Sequence, residues 1–206
     1  HAQCVLLTGE SGVGKTRLAE ELRTWCAHRG VAVGSGRSYA AEGALAYAPV
    51  VGWLRSGPLV ERRQALSPTI LAELARLLPE LSETVPGLPA PPPLPEAEQR
   101  HRLFEALVNA ILVVEVPLLL VADDIHWSDR ETIQFLHYLL RAGPNARLLV
   151  LATARQEEIG SNHPIHDLTL GLQALDPFTQ IAIDRFATTE TANLAEQMTG
   201  GSPPVN

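Results

Sequence analysis

The order of apolar runs and helical stripes predicts an α/β protein. Its parallel sheet of about five strands lies between helices in a three-layer sandwich, with a small helical segment at the C-terminal end. Three observations predict this. Residues 4–7, 118–122 and 147–153 are short apolar runs without alternation, as expected of strands covered on both faces. Helical stripes fill the intervals between them, the pattern of a doubly wound sheet. The first run leads directly into Gly9-Glu10-Ser11-Gly12-Val13-Gly14-Lys15-Thr16, which fits G-x-x-x-x-G-K-[ST], the phosphate-binding P-loop.

The spacing of that loop has a mechanical reason. Its glycines let successive N–H groups turn inward around one phosphate cluster. The helix that follows points its N-terminal donors and positive dipole end at the same anion. Lys15 then reaches the β- and γ-phosphates of ATP, and the Thr16 hydroxyl coordinates Mg²⁺. The bland alternative is a glycine-rich turn between a strand and a helix.

Taken in order, Leu18, Leu22 and Trp25 recur at helical spacing over residues 17–28, and Gly30 ends that helix. A second strand is expected over 31–34, closed by Gly34-Ser35-Gly36, and a loop over 39–49. Helices are expected over about 49–55 and 68–78. Residues 86–95 (PGLPAPPPLP) exclude helix and central strand. They read as an extended surface loop, with a polyproline ligand as the alternative. A long helix follows over 96–115 and stops before Pro117. Ser128 and Glu131 form a capping box for a helix to about Arg141. A weak strand is expected near 167–170, and helices over 177–187 and 190–198. This divides the chain into a nucleotide-binding domain, 1–172, and the start of a helical subdomain, 173–206.

Composition bounds the function. Hydrophobic residues make up 46% of the 206, ample for a core, so the chain does not read as disordered. The formal net charge is −7 and no Lys/Arg run is present, which argues against direct nucleic-acid binding by this segment. Cys4 and Cys26 read as reduced thiols, and the scattered histidines show no metal-ligand spacing. The apolar stretch 106–122 is broken by Asn109, Glu115 and Pro117 and does not read as a membrane span. No signal peptide is visible and the first residue is not Met. The expectation is a piece of a longer cytoplasmic protein.

The second chemical motif is Asp123-Asp124 at the end of the 118–122 strand. An acid there can hold the Mg²⁺ that a P-loop leaves incompletely coordinated, the role that suits Asp123. Asp124 is then the base or positioning group for an attacking water. A strand-to-loop turn with a helix cap is the plain alternative. Arg155, just past the end of the 147–153 strand, sits where open α/β sheets bind ligands. It can sense the γ-phosphate, or simply pair with Glu157 or Glu158. His126 and Trp127 read as packed loop residues, with a catalytic histidine as the alternative.

Three strings together carry a family likeness: residues 9–16 with Arg17-Leu18, then Asp123-Asp124-Ile125-His126-Trp127-Ser128-Asp129, then Ala152-Thr153-Ala154-Arg155. They resemble the signal-transduction ATPases with numerous domains. Within these, the chain is most similar to the ATPase module of large LuxR-type bacterial transcriptional regulators. Thr199-Gly200-Gly201-Ser202-Pro203 resembles the Gly-x-Pro motif of that group.

The resemblance implies a nucleotide cradle of Gly9, Glu10, Ser11, Gly12, Val13, Gly14, Lys15, Thr16 and Arg17, with Pro203 near the base or ribose. It implies Mg²⁺ on Thr16 and Asp123, water on Asp124, and Arg155 as sensor. An arginine finger would come from Arg130 or Arg141 of a neighbour, with nucleotide-dependent self-association. The implied function is a slow ATPase switch, with ATP and ADP favouring different arrangements of a parent regulator that binds DNA through another domain. Two other readings stand beside it: a nucleotide-binding platform without turnover, and a small-molecule P-loop kinase.

Overall fold

The computed structural model describes residues 1–40, 46–161, 163–173 and 178–199. In it five strands pair in parallel: β1 (Gln3–Gly9), β2 (Ala32–Arg37), β3 (Leu118–Asp123), β4 (Leu148–Arg155) and β5 (Phe178–Ala182). Their order across the sheet is β2-β3-β4-β1-β5. Because every strand runs the same way, all carboxyl ends reach one rim. The register aligns Gly9 with Arg155 and Arg37 with Asp123 there.

Alternate strand residues feed two cores. On one face Leu7, Leu119, Val121 and Leu151 pack with Ala19 and Cys26 of helix α1 (Lys15–Ala27). On the other, Leu6, Leu120, Val150 and Ala152 meet the larger cluster. That cluster is built by α2 (Ala48–Leu54), α3 (Gly57–Arg62), α4 (Pro68–Leu74), α5 (Glu80–Thr84), α6 (Glu96–Leu112) and α7 (Arg130–Ala142). Phe104 and Phe135 stack edge-on at 5.4 Å in its centre. The two faces explain why β3 is buried along its whole length and carries no alternation. Helices α8 (Pro164–Gln173) and α9 (Thr188–Thr199) complete the described elements. Among the described residues no helix is long and apolar enough to cross a membrane. Cys4 and Cys26 are free and buried, and burial pushes the Cys4 thiol up to about 12.

Several expectations are corrected. The Leu18–Trp25 stripe divides: Leu18 is 49% and Trp25 52% exposed, while Leu22 packs with Ala19 and Cys26 against the sheet. A helix this close to its sheet has room for Ala19 but not for an indole. Strand β2 runs on through Gly34 and Gly36 to Arg37 instead of ending at the glycines. Helices α4 and α6 end earlier than the apolar pattern suggests, at Leu74 and Leu112.

Residues 167–170, expected as a strand, lie inside α8, which Pro164 opens in the position where proline suits a helix. Residues 178–182, expected within a helix, form β5, where Phe178, Thr179 and Ile181 favour the pleated backbone. The sheet therefore takes its fifth strand from the segment read as a helical appendage. The cap of α7 is Asp129, whose Oδ1 accepts from the Thr132 N–H at 2.8 Å, and Ser128 instead bonds Ser38 Oγ at 2.6 Å. The Gly-x-Pro string and Pro203 lie outside the described residues.

Candidate functional site

The loop between β1 and α1 carries Gly12 and Gly14 at φ 79° and 106°, backbone that side chains rarely adopt. This geometry leaves the amides of Gly12, Gly14, Lys15 and Thr16 without an acceptor among the described residues. Lys15 is buried, and its Nζ donates to the Gly9 and Glu10 carbonyls at 2.8 and 2.7 Å. Among the described residues no carboxylate forms an ion pair with it. A buried ammonium held only by carbonyl oxygens, beside free amides at a helix start, is a cradle of positive potential that fits a phosphate. The Ser11 N–H donates to Glu157 Oε1 at 2.8 Å, so a carboxylate already tests that potential. N–H donors, Glu157's own first and then Ser11's, hold the Glu157 carboxyl below its usual range.

The other sequence-derived residues of the loop divide. The Glu10 side chain pairs with Arg185. The Arg17 guanidinium pairs with Glu21 at 2.5 Å on the exposed side of α1, away from the loop. Val13 closes the loop with an N–H bond to the Glu10 carbonyl at 3.4 Å.

Next to β1, β4 and then β3 deliver the acidic centre. Asp123 receives the Thr16 hydroxyl at 3.0 Å and the Thr153 hydroxyl at 2.6 Å on the same Oδ1. Thr16 and Asp123, 107 residues apart, thus meet as the pair expected to hold Mg²⁺. Asp124 sits at φ 54°, ψ 44°, a left-handed conformation that few non-glycine residues adopt. Its N–H donates to Thr153 Oγ1 at 2.9 Å, which fixes the turn. Its carboxylate is 6% exposed and gripped by Arg37, with Nη2 at 2.6 Å and Nε at 3.1 Å from Oδ2. This bond in turn raises the Arg37 pKa.

Arg155 lies at the same rim, its Nε 3.8 Å from Asp124 Oδ1. Nη1 donates to Glu158 Oε1 at 2.8 Å, and the guanidinium lies 4.6 Å from the Trp127 ring centre. Of the two acids the sequence offered it, the arginine pairs with Glu158, while Glu157 goes to the loop. Trp127 Nε1 also donates to Glu158, at 2.7 Å. Burial pushes the Glu158 carboxyl up, but the bonds from Trp127 and Arg155 outweigh it and the net shift is downward.

His126 is buried between these groups. Its Nδ1 accepts the Arg155 N–H at 3.3 Å, so the ring proton belongs on Nε2. Among the described residues Nε2 has no hydrogen-bond partner, and it lies 3.9 Å from Asp124 and 3.6 Å from Glu158. Burial lowers the His126 pKa. Arg130 is the first residue of α7. Arg141 stands near the other end of the helix, about 16 Å away at 1.5 Å per residue.

Sequence reasoning missed Arg37 and Thr153. Arg37 was within reach: extending the second strand to its last residue puts an arginine beside Asp123 in a parallel register. Thr153 was quoted, but its buried hydroxyl depends on β4 lying between β3 and β1.

A parallel sheet with a P-loop after its first strand, and a strand-end carboxylate bonded to the loop threonine, is the architecture of a P-loop nucleotide-binding domain. The AAA ATPase domain family model matches residues 1–151, and the chain belongs to that family. Nucleotide binding follows from the membership.

Similar folds occur in AMPPCP-bound DnaA from Aquifex aeolicus and in the Drosophila ORC bound to GC-rich DNA and Cdc6. DnaA is 14% identical, with a TM-score of 0.45 over 98% of this chain and 46% of that one. The ORC chain is also 14% identical, with a TM-score of 0.46 over 97% of this chain and 57% of that one. The chain thus spans about half the length of these structures. No curated protein matches it.

Proposed function

We propose that this domain is a Mg²⁺-dependent ATP switch that hydrolyses slowly, serving a multidomain transcriptional or signalling regulator of the LuxR type. The observation that carries the reading is Lys15, a buried cation answered, among the described residues, by carbonyls alone. ATP supplies the missing anion, with the β- and γ-phosphates at Lys15 and at the free amides of Gly12, Gly14 and Thr16. Thr16 and Asp123 are the residues to hold Mg²⁺, which would offset the phosphate charge. Asp124 orients the attacking water and takes its proton, and Arg155 answers charge on the γ-phosphate.

In the arrangement described here Arg37 occupies the Asp124 carboxylate. That contact supports a resting state and slow turnover, because the base must leave the guanidinium before it can take a proton. The same contact favours the second reading, a nucleotide-regulated platform without significant turnover. A phosphoryl-transfer role toward a small molecule ranks third. The regulator's other domains, in a cytoplasmic setting, receive the nucleotide state. The segment 173–206 is read as leading into a helical subdomain after it supplies β5.

Calorimetric titration with Mg·ATP and Mg·ADP, beside Lys15→Ala, tests the site. Binding lost in the variant supports it, and an ATP/ADP difference supports the switch. Binding that survives in Lys15→Ala removes the reading.

A further inference from the structure

Beside the metal-edge residues, a cavity of about 470 Å³ opens between α1, the end of β2, α2 and the end of β3. Of the phosphate and metal set only Thr16 and Asp123 reach it. Residues 9–14, Asp124 and Arg155 take no part in its walls. It therefore shares the Thr16–Asp123 pair with the candidate nucleotide site and extends from it on the side away from the phosphate loop. Its volume lies in the range of small-molecule sites.

Three guanidiniums line it, Arg23 of α1, Arg37 at the end of β2 and Arg55 just after α2, against two carboxylates, Glu20 and Asp123. Like charges repel, and each such group is stabilised by an anion of its own. Arg37 has Asp124, and Arg55 has Glu80 at 3.0 Å. Arg23 has none among the described residues. The remaining walls include Ala19, Val51, Val121 and the half-exposed Tyr39 ring. Helix α2 is held against β2 by glycine on both sides: a Cβ on Gly36 would lie 2.0 Å from the Pro49 carbonyl oxygen, and one on Gly52 2.7 Å from Gly36 Cα. The wall is thus a fixed surface that no side chain fills at that contact.

We propose that this cavity binds a small organic anion, with its phosphate or carboxylate on Arg23 and Arg55 and its apolar body against Val51, Val121 and Tyr39. The guanidinium fork suits either head group. Bound there, the anion competes with Asp124 for Arg37, whose Nη2 is 2.6 Å from the carboxylate. Occupancy then frees the base, so the ligand acts as an activator. This coupling rests on the proposed role of Asp124, and the binding does not.

The test uses the 206-residue chain saturated with Mg²⁺ and a non-hydrolysable ATP analogue, titrated calorimetrically with phenyl phosphate and, separately, with phenylacetate at up to millimolar concentrations. Saturable binding of one probe is expected, weakened about tenfold by Arg23→Ala and by Arg55→Ala. Arg23 is exposed and has no ion pair among the described residues, so its removal should leave nucleotide affinity and melting temperature unchanged. Which probe binds identifies the head group. No saturable binding of either probe overturns the site. So does binding that Arg23→Ala leaves intact, or binding that the nucleotide analogue displaces. With ATP, the bound probe should raise phosphate release several-fold, and Arg37→Ala should raise the basal rate and abolish the response. Probe binding that leaves a measurable turnover unchanged overturns the coupling. Probe binding with no turnover under any condition supports the cavity and overturns the ATPase reading instead.

Discussion

The phosphate loop and the acidic centre lie on one rim but are built in opposite ways. Residues 9–16 are contiguous, and their function is written in backbone: free amides, two left-handed glycines and one buried lysine. The acidic centre is assembled from β2, β3 and β4, with Arg37, Asp123, Asp124, Thr153 and Arg155 brought together by register alone. A contiguous site can be destroyed at one residue with little damage to the fold. A site made by register is part of what aligns the strands, so its residues carry function and stability together.

That contrast can be broken by mutation. The largest effect is expected for Asp124→Asn, which keeps the shape but removes the proton acceptor. Turnover should fall by about 10²–10⁴-fold while Mg·ATP affinity holds, read by phosphate release beside calorimetry. Equal losses in both would make Asp124 a binding residue. Next, Lys15→Ala should weaken ATP binding on the order of a hundredfold yet hold or raise the melting temperature, because a buried charge without a carboxylate partner is removed. A marked fall in melting temperature would show that the loop, too, holds the fold.

Thr153→Val should do the reverse. It removes the donor to Asp123 and the acceptor of the Asp124 N–H, both buried, at a cost of about 1–3 kcal/mol in urea unfolding. No loss of stability would mean the acidic centre is not bound into the sheet.

The smallest effect is the pH response of His126. Burial lowers its folded pKa, so its neutral ring contributes stability above the unfolded value of about 6.5, and that contribution is lost as pH falls through the folded value. Unfolding midpoints across this range should fall more steeply for the parent than for His126→Gln, which keeps an acceptor for the Arg155 N–H. Parallel profiles would assign the pH dependence elsewhere.

The legible parts of the site are those with short-range causes. The loop, Lys15, Thr16 and the Asp123-Asp124 pair could be read directly, since strand ends and glycine spacing are local. Arg155 could be placed on the rim but not paired, because Glu157 and Glu158 are equivalent by spacing and only the 3₁₀ turn at residues 156–158 sends one to the loop and the other to Arg155. In the fold, β1, β3 and β4 announce themselves as continuous apolar runs. The edge strand β5 does not: its residues are mostly exposed, and nothing local separates an exposed strand from a surface helix. Helix α1 misleads for a related reason, since Leu18 and Trp25 lie on its outer face and only Leu22 of the three joins Ala19 and Cys26 against the sheet.

By itself the sequence determined the α/β class, the phosphate loop and the acidic strand end, because each depends on residues within a few positions of one another. The tertiary structure decided the strand order, the grip of Arg37 on Asp124, the bridge through Thr153 and the cavity beside them. The grip and the bridge join residues 29 to 87 positions apart, and only the parallel register of β2, β3 and β4 brings them within reach.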